Sequence, residues 1–173
     1  NLVSYSQSFD NAWWTKTKAS IAPWAVAAPD GSYTAQKLIE NTETGEHYVN
    51  RGFLAATSGL TYTVSIYLQA AGRTLAKIGP IYGLGTGGGV YVFVNLTTGA
   101  ISSSASGTSA LSVSISSAPY GWYRVSITDV SYANEVDPIF TLVSTGTTTN
   151  YTGDGTSGIY IWGAQLELGS TAS

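Results

Sequence analysis

Hydrophobic and polar residues alternate one by one along most of the chain. From Thr61 to Gln69, Tyr62, Val64, Ile66 and Leu68 take one parity, and Thr63, Ser65, Tyr67 and Gln69 take the other. A period of two is what a strand needs when one face meets a core and the other meets water. The pattern recurs at Val90–Leu96, Leu111–Ser116, Trp122–Val130, Pro138–Val143 and Gly158–Leu168, and more weakly at Thr34–Ile39, Glu46–Leu54 and Leu75–Ile78. About nine strands and no helix are predicted.

Asp30-Gly31, Ser58-Gly59, Ala71-Gly72, Thr98-Gly99, Tyr120-Gly121 and Asp154-Gly155 place glycine where a turn calls for positive φ. Short strands separated by such turns, with no helices between them, predict an all-β, antiparallel β-sandwich of the jelly-roll type. Ser102–Ser109 reads as a flexible loop, and Ser144–Gly158 as a long loop returning the chain to its last strand. Residues 1–168 are expected to form a single domain, and residues 169–173 a poorly ordered tail or linker stub.

Composition narrows the function. Charged residues are 10% of the 173, with 7 basic and 10 acidic side chains. That leaves too few cations to neutralise a phosphate backbone, so nucleic acid is excluded as a partner. There is no cysteine, hence no disulfide framework and no thiolate metal site. No charged residue lies between Lys77 and Arg124, yet Gly79, Pro80, Gly83 and Gly85 interrupt that stretch before it reaches membrane-spanning length. No membrane partner is expected. The chain has no methionine and opens at Asn1 without a basic leader, so it reads as a module excised from a longer polypeptide, covalently linked to neighbouring domains.

Signals for catalysis are weak. The carboxylates are scattered, and Glu43 and Glu46 flank the turn-like Thr44-Gly45. His47 is the only histidine, which rules out a site built on two or three imidazoles and points to a packed side chain. The glycine run from Gly85 to Gly89 lacks the following helix and the Gly-Lys-Ser/Thr ending of a phosphate cradle. An enzyme is not expected.

The aromatic residues are more telling. Five Trp and twelve Tyr are interleaved with amide, hydroxyl and a few basic side chains. Sugars offer a C–H face that stacks on a flat ring, and hydroxyls that need paired donors and acceptors. Trp13, Trp122 and Trp162 are assigned to the core. The candidate carbohydrate-binding residues are Trp24, Tyr67, Gln69, Lys77, Tyr82, Tyr91 and Arg124. Tyr67 with Gln69, and Arg124 with Ser126, share the exposed parity of their strands and form one face if those strands align.

Several segments carry a resemblance. Asn1-Leu2-Val3, Ser8-Phe9-Asp10-Asn11-Ala12-Trp13, Pro29-Asp30-Gly31, Leu60-Thr61-Tyr62-Thr63-Val64-Ser65 and the closing Ile159–Glu167 resemble carbohydrate-binding modules of the family 4/9/16/22 type. Val94–Gly99, Gly121–Ser126, Tyr151–Gly155 and Ile161–Glu167 are similar to carbohydrate-binding domains of bacteriophage tail-fibre, tail-spike and related virion proteins. The resemblance implies a jelly roll that binds polysaccharide in a cleft on one sheet, with Lys77 and Tyr91 at positions comparable to sugar-contacting residues. It also implies a structural calcium held by an acidic residue after the first Phe, where Asp10 stands, and by an Asp in the last strand. Trp162-Gly163 stands at that second position, so calcium would need backbone carbonyls instead. No cofactor is required.

The resulting expectation is a non-catalytic module, extracellular or on a virion surface. It holds a neutral β-glucan or xylan-like chain, or a bacterial surface glycan, by stacking and polar contacts. The alternative is a structural virion decoration or oligomerisation domain that uses the uncharged stretch from Val90 to Ser117.

Overall fold

A computed structural model describes residues 1–86, 88–105, 107–108 and 111–173. Sixteen strands lie among them: β1 (Thr15–Thr17), β2 (Ala19–Val26), β3 (Ala35–Glu40), β4 (Thr44–Glu46), β5 (Tyr48–Asn50), β6 (Leu54–Ala55), β7 (Thr61–Ala71), β8 (Leu75–Ile81), β9 (Val90–Asn95), β10 (Ala100–Ala105), β11 (Ser112–Ala118), β12 (Trp122–Val130), β13 (Glu135–Val136), β14 (Ile139–Val143), β15 (Asn150–Thr152) and β16 (Gly158–Leu168). A single 3-10 turn, Pro119–Gly121, joins β11 to β12.

Two six-stranded antiparallel sheets form a jelly-roll sandwich. The first runs β1-β5-β14-β8-β9-β10 and the second β11-β12-β7-β16-β3-β2. Alternation in the sequence sets which side chains meet between them. Tyr62, Val64, Ile66 and Leu68 of β7 point inward with Val125 and Ile127 of β12 and Ile159, Ile161 and Leu166 of β16. They pack against Ala76, Ile78, Val92, Val94, Phe140 and Leu142 from the first sheet. At about 25 cal/mol per Å² of apolar surface removed from water, this shared interior is the main source of stability.

The strand boundaries at β12 and β16 coincide with those read from the sequence, but β1 and β2 were not predicted and three further segments differ. Residues 102–105, expected to begin a flexible loop, belong to strand β10, paired with β9. Its small, polar and exposed residues follow from its place at a sheet edge, where no face is buried and periodicity carries no signal. Ser106 and Ser109, the rest of that expected loop, lie outside the described residues. The long loop expected at Ser144–Gly158 contains β15, paired with β4. The segment Glu46–Leu54 is divided among three short strands rather than forming one.

One buried ion pair ties the second sheet to its loops. Glu40, at the end of β3, is 1% exposed and accepts two hydrogen bonds from Arg73, at 2.9 Å from Nε and 2.6 Å from Nη2. It also accepts from the Tyr151 hydroxyl at 2.7 Å and the Asp154 N–H at 2.9 Å. Burial alone would raise its carboxyl pKa, but Arg73, Tyr151 and the Asp154 amide together hold it below the ordinary carboxylate range. Glu40 therefore contributes stability that is present above the unfolded-state carboxyl pKa and is lost as pH falls through the lower folded-state value. Arg73→Met leaves the carboxylate buried without its cation, a loss of about 3–5 kcal/mol at neutral pH. In that variant Glu40 favours its proton, so as pH falls from 7 to about 5 the urea midpoint is expected to rise by more than it does in the parent.

Candidate functional site

The outward parity of the second sheet gathers polar and aromatic side chains on one surface. Register places Arg124 opposite Tyr67, Ser126 opposite Ser65 and Thr128 opposite Thr63. On the other side of β12, Ser116, Ser114 and Ser112 of β11 stand opposite the same three residues. β16 adds Trp162 beside Tyr67, Gln165 beside Ser65 and Glu167 beside Thr63. Tyr67, Gln69 and Arg124 are thus brought together, because their strands do align.

One end of this surface is aromatic. Tyr67 and Trp162 meet edge to face with ring centroids 5.4 Å apart, and the Arg124 guanidinium lies 5.3 Å from the Tyr67 centroid. A bulge between Trp162 and Gln165 lets β16 pass the Tyr67 ring. Gly163 occupies it with φ +63°, and a Cβ there would come within 3.3 Å of that ring. Trp122 also has outward parity yet is fully buried, because residues 27–34 fold over it and its Nε1 donates to the Ala27 carbonyl at 2.9 Å. Trp162 Nε1 donates to Thr34 Oγ1 at 2.9 Å, fixing the same loop. Tyr33 and Tyr120 rise at its rim, 69% and 64% exposed, and the Tyr120 carbonyl accepts from Gln69 Nε2 at 2.8 Å.

The other end is lined with hydroxyls. A groove of about 320 Å³ is bounded by Ser112, Ser114 and Ser116, by Thr63, Arg124, Ser126 and Thr128, and by Ser170, Thr171 and Ala172. Arg124 Nη2 donates to Gln165 Oε1 at 2.6 Å, to Ser65 Oγ at 3.3 Å and to the Ser173 carbonyl. Glu167 accepts from the Ser173 N–H at 2.8 Å and its hydroxyl at 2.6 Å. The Ser173 hydroxyl hydrogen bond is the main reason the Glu167 carboxyl lies below its ordinary range. Ser170, Thr171 and Ala172 of the tail form one wall of the groove. Three buried side-chain polar atoms among the described residues lack a hydrogen-bond partner, and two of them, Gln69 Oε1 and Arg124 Nε, belong to this surface.

The remaining candidates lie elsewhere. Lys77 and Tyr91 sit on the outward side of the first sheet, with the Lys77 ammonium 5.4 Å from the Tyr91 centroid and 5.6 Å from that of Phe93. Tyr82 follows β8, is 42% exposed and bridges to Asp137, whose carboxyl burial raises above the ordinary range against hydrogen bonds from Asn50 and Gly52. Trp24 is 65% exposed on the edge strand β2, with φ +54°. His47 is fully buried, with its ring nitrogens 2.7 Å from the Lys18 carbonyl and 3.1 Å from the Tyr151 carbonyl. Asp10 is exposed and accepts from Gln36 Nε2 at 2.7 Å. No cluster of three or more His, Cys, Asp or Glu suited to a metal occurs among the described residues.

Sequence reasoning passed over Gln165, Glu167, Tyr33 and Tyr120 as parts of this surface, and assigned Trp122 and Trp162 to the core between the sheets. Parity held the missing signal for Trp122. It lies two residues from Arg124 and so faces the same way. Nothing local shows that a distant loop covers it.

No family model matches the chain, and no curated protein matches it significantly by sequence. Among solved structures it is similar to the enzymatically active domain of tailspike protein 4 from bacteriophage CBA120, with a TM-score of 0.55 and 14% identity. That alignment covers 97% of this chain and 21% of the tailspike chain, so the chain spans about a fifth of that structure's length. A CBM4 structure aligns with a TM-score of 0.43 and 15% identity, over 94% of this chain and 84% of the other. The CBM22-1 xylan-binding domain of Paenibacillus barcinonensis Xyn10C aligns with 0.48 and 14%, over 99% and 96%. The tailspike likeness is one of fold.

Removing the Trp122 indole N–H tests how this surface is anchored. Trp122→Phe leaves the Ala27 carbonyl unmet beneath the loop, at a cost of about 1–3 kcal/mol in unfolding free energy. Hydrogen exchange is expected to accelerate at the Ala28 and Gly31 amides, which bond within the loop to Ser32 and Ala28. Unchanged exchange there would mean that the loop is held by other contacts.

Proposed function

We propose that the chain is a non-catalytic carbohydrate-binding module that holds a polysaccharide or cell-surface glycan on the outer face of its second sheet. The observation that carries this reading is the aromatic end of that face, Tyr67 with Trp162 and the Arg124 guanidinium, running into a groove lined by hydroxyls. A flat ring with a guanidinium beside it and hydroxyls beyond fits a sugar that stacks one face and pairs its own hydroxyls with polar side chains. Arg124 is balanced by Glu167 on the same surface, which suits an uncharged chain of the glucan or xylan kind. The fold shared with a phage tailspike domain supports display on a virion or outside a cell, as part of a longer protein.

Affinity follows from the same inventory. Ring stacking contributes about 0.5–1.5 kcal/mol beyond buried area, and each hydroxyl contact nets about 1 kcal/mol after water is displaced. Against the cost of association, two rings and a few such bonds give roughly micromolar to millimolar binding. Several copies on one particle would convert that into firm attachment.

Affinity electrophoresis against a panel of neutral and acidic polysaccharides tests the reading. Arg124→Ala and Tyr67→Ala are each expected to weaken retention by about tenfold, the equivalent of one to two good contacts. Lys77→Ala and Tyr91→Ala, on the opposite sheet, leave it unchanged. Loss of retention in the second pair alone would move the ligand to the first sheet, and retention by no polysaccharide would overturn the proposal.

A further inference from the structure

The chain enters the sandwich through three consecutive tight turns, closed by hydrogen bonds from Ser8 N to the Tyr5 carbonyl, Asn11 N to that of Ser8 and Trp14 N to that of Asn11. These turns deliver Phe9 and Trp14 into the core, where both are buried and their rings lie 4.8 Å apart. So tight a path turns several carbonyls toward one point. Those of Phe9, Asp10, Asn11 and Trp14 lie 3.2, 3.3, 3.1 and 3.0 Å from the Lys16 Nζ. The opposite side of the segment is clamped by Gln36, whose Oε1 accepts from the Phe9 and Asp10 amides while its Nε2 donates to the Asp10 carboxylate.

Convergent backbone carbonyls are the donor set of a site for a hard cation. Here the cation comes from the chain itself. An ammonium carries three protons, so four oxygens at these distances share them, and the positive charge rather than any single hydrogen bond holds the carbonyls together. A structural calcium does not fit beside it. The carbonyls already face Lys16, the carboxylate of Asp10 is turned to Gln36, and Trp162-Gly163 brings no carboxylate from the last strand.

We propose that Lys16 is the resident cation of this carbonyl site, performing with a side chain what a structural metal would do, so that the N-terminal turns and the two core rings they carry hold without calcium. The inference is independent of where any glycan binds. Thermal unfolding of the whole chain, with metal analysis of the purified protein, tests it. The parent protein is expected to carry no stoichiometric calcium and to melt at the same temperature in chelator and in millimolar calcium. Lys16→Met keeps the aliphatic stem, removes the charge and lowers the midpoint by about 5 °C or more, since each lost contact of this kind is worth a few degrees in a chain of this length. Bound calcium in the parent, a midpoint that rises with calcium, or a Lys16→Met variant as stable as the parent would each overturn the proposal. The first two readings need no variant to fold.

Discussion

Two sheets that bury one face each leave every strand a single parity for contact with the outside. Nearly everything else in this protein follows from that constraint. The inward parity is filled by Val, Ile and Leu, with Phe9, Trp14 and Phe140 as the large rings, and it has no room for chemistry. Recognition is left to the two outer faces and the strand ends. On β7 the division is sharp, because Ile66 and Leu68 are sealed while Tyr67 and Gln69, their immediate neighbours, reach the outer surface. Gln69 Oε1 and Arg124 Nε belong to that surface, and buried polar atoms left without partners are costly.

Charge is nearly absent from this design, and polar satisfaction is achieved by other means. Hydroxyls pair across strands, as Thr63 with Thr128 at 2.8 Å and Thr44 with Thr152 at 2.7 Å. A full charge that is buried is enclosed by several partners, as Glu40 is by Arg73, Tyr151 and the Asp154 amide, and the half-buried Lys16 ammonium is surrounded by four carbonyls. Burying a charge is tolerable only under such enclosure. The same economy leaves the outer face of the second sheet rich in neutral donors and acceptors, which attract little of a counterion cloud.

The sheet-forming segments were legible wherever one face is buried, because burial writes a period of two into the sequence. The strand from Trp122 to Val130 shows it from end to end, and that from Gly158 to Leu168 shows it on either side of its bulge. β10 was not legible, since a strand whose residues are nearly all exposed has no reason to alternate. β1 and β2 were missed for a related reason. Lys18 and Trp24 adopt positive φ in or beside them, β2 shifts register between Ala22 and Val26, and the pattern is broken at each irregularity. Part of the site was legible as well. That Arg124 and Tyr67 would share a face followed from parity once their strands were taken to be neighbours. That Lys77 and Tyr91 would lie on the other sheet did not, because parity says nothing about which sheet a strand joins.

What the sequence could least reveal is the part of the surface made by distant segments. Trp122 has the parity of a surface residue and the burial of a core residue, and only the loop at residues 27–34, nearly a hundred positions away, reconciles the two. The same loop is pinned by Trp162 through Thr34, so two tryptophans on adjacent parts of one face act as posts for a cover rather than as platforms. Rings so anchored cannot turn to meet a ligand. Tyr33 and Tyr120 beside them keep most of their surface in water, while Trp162 holds the neighbouring Thr34 and Gln69 holds the Tyr120 carbonyl. Rigidity beneath and exposure above is the arrangement in which a contact to a flat ring costs least conformational entropy to form.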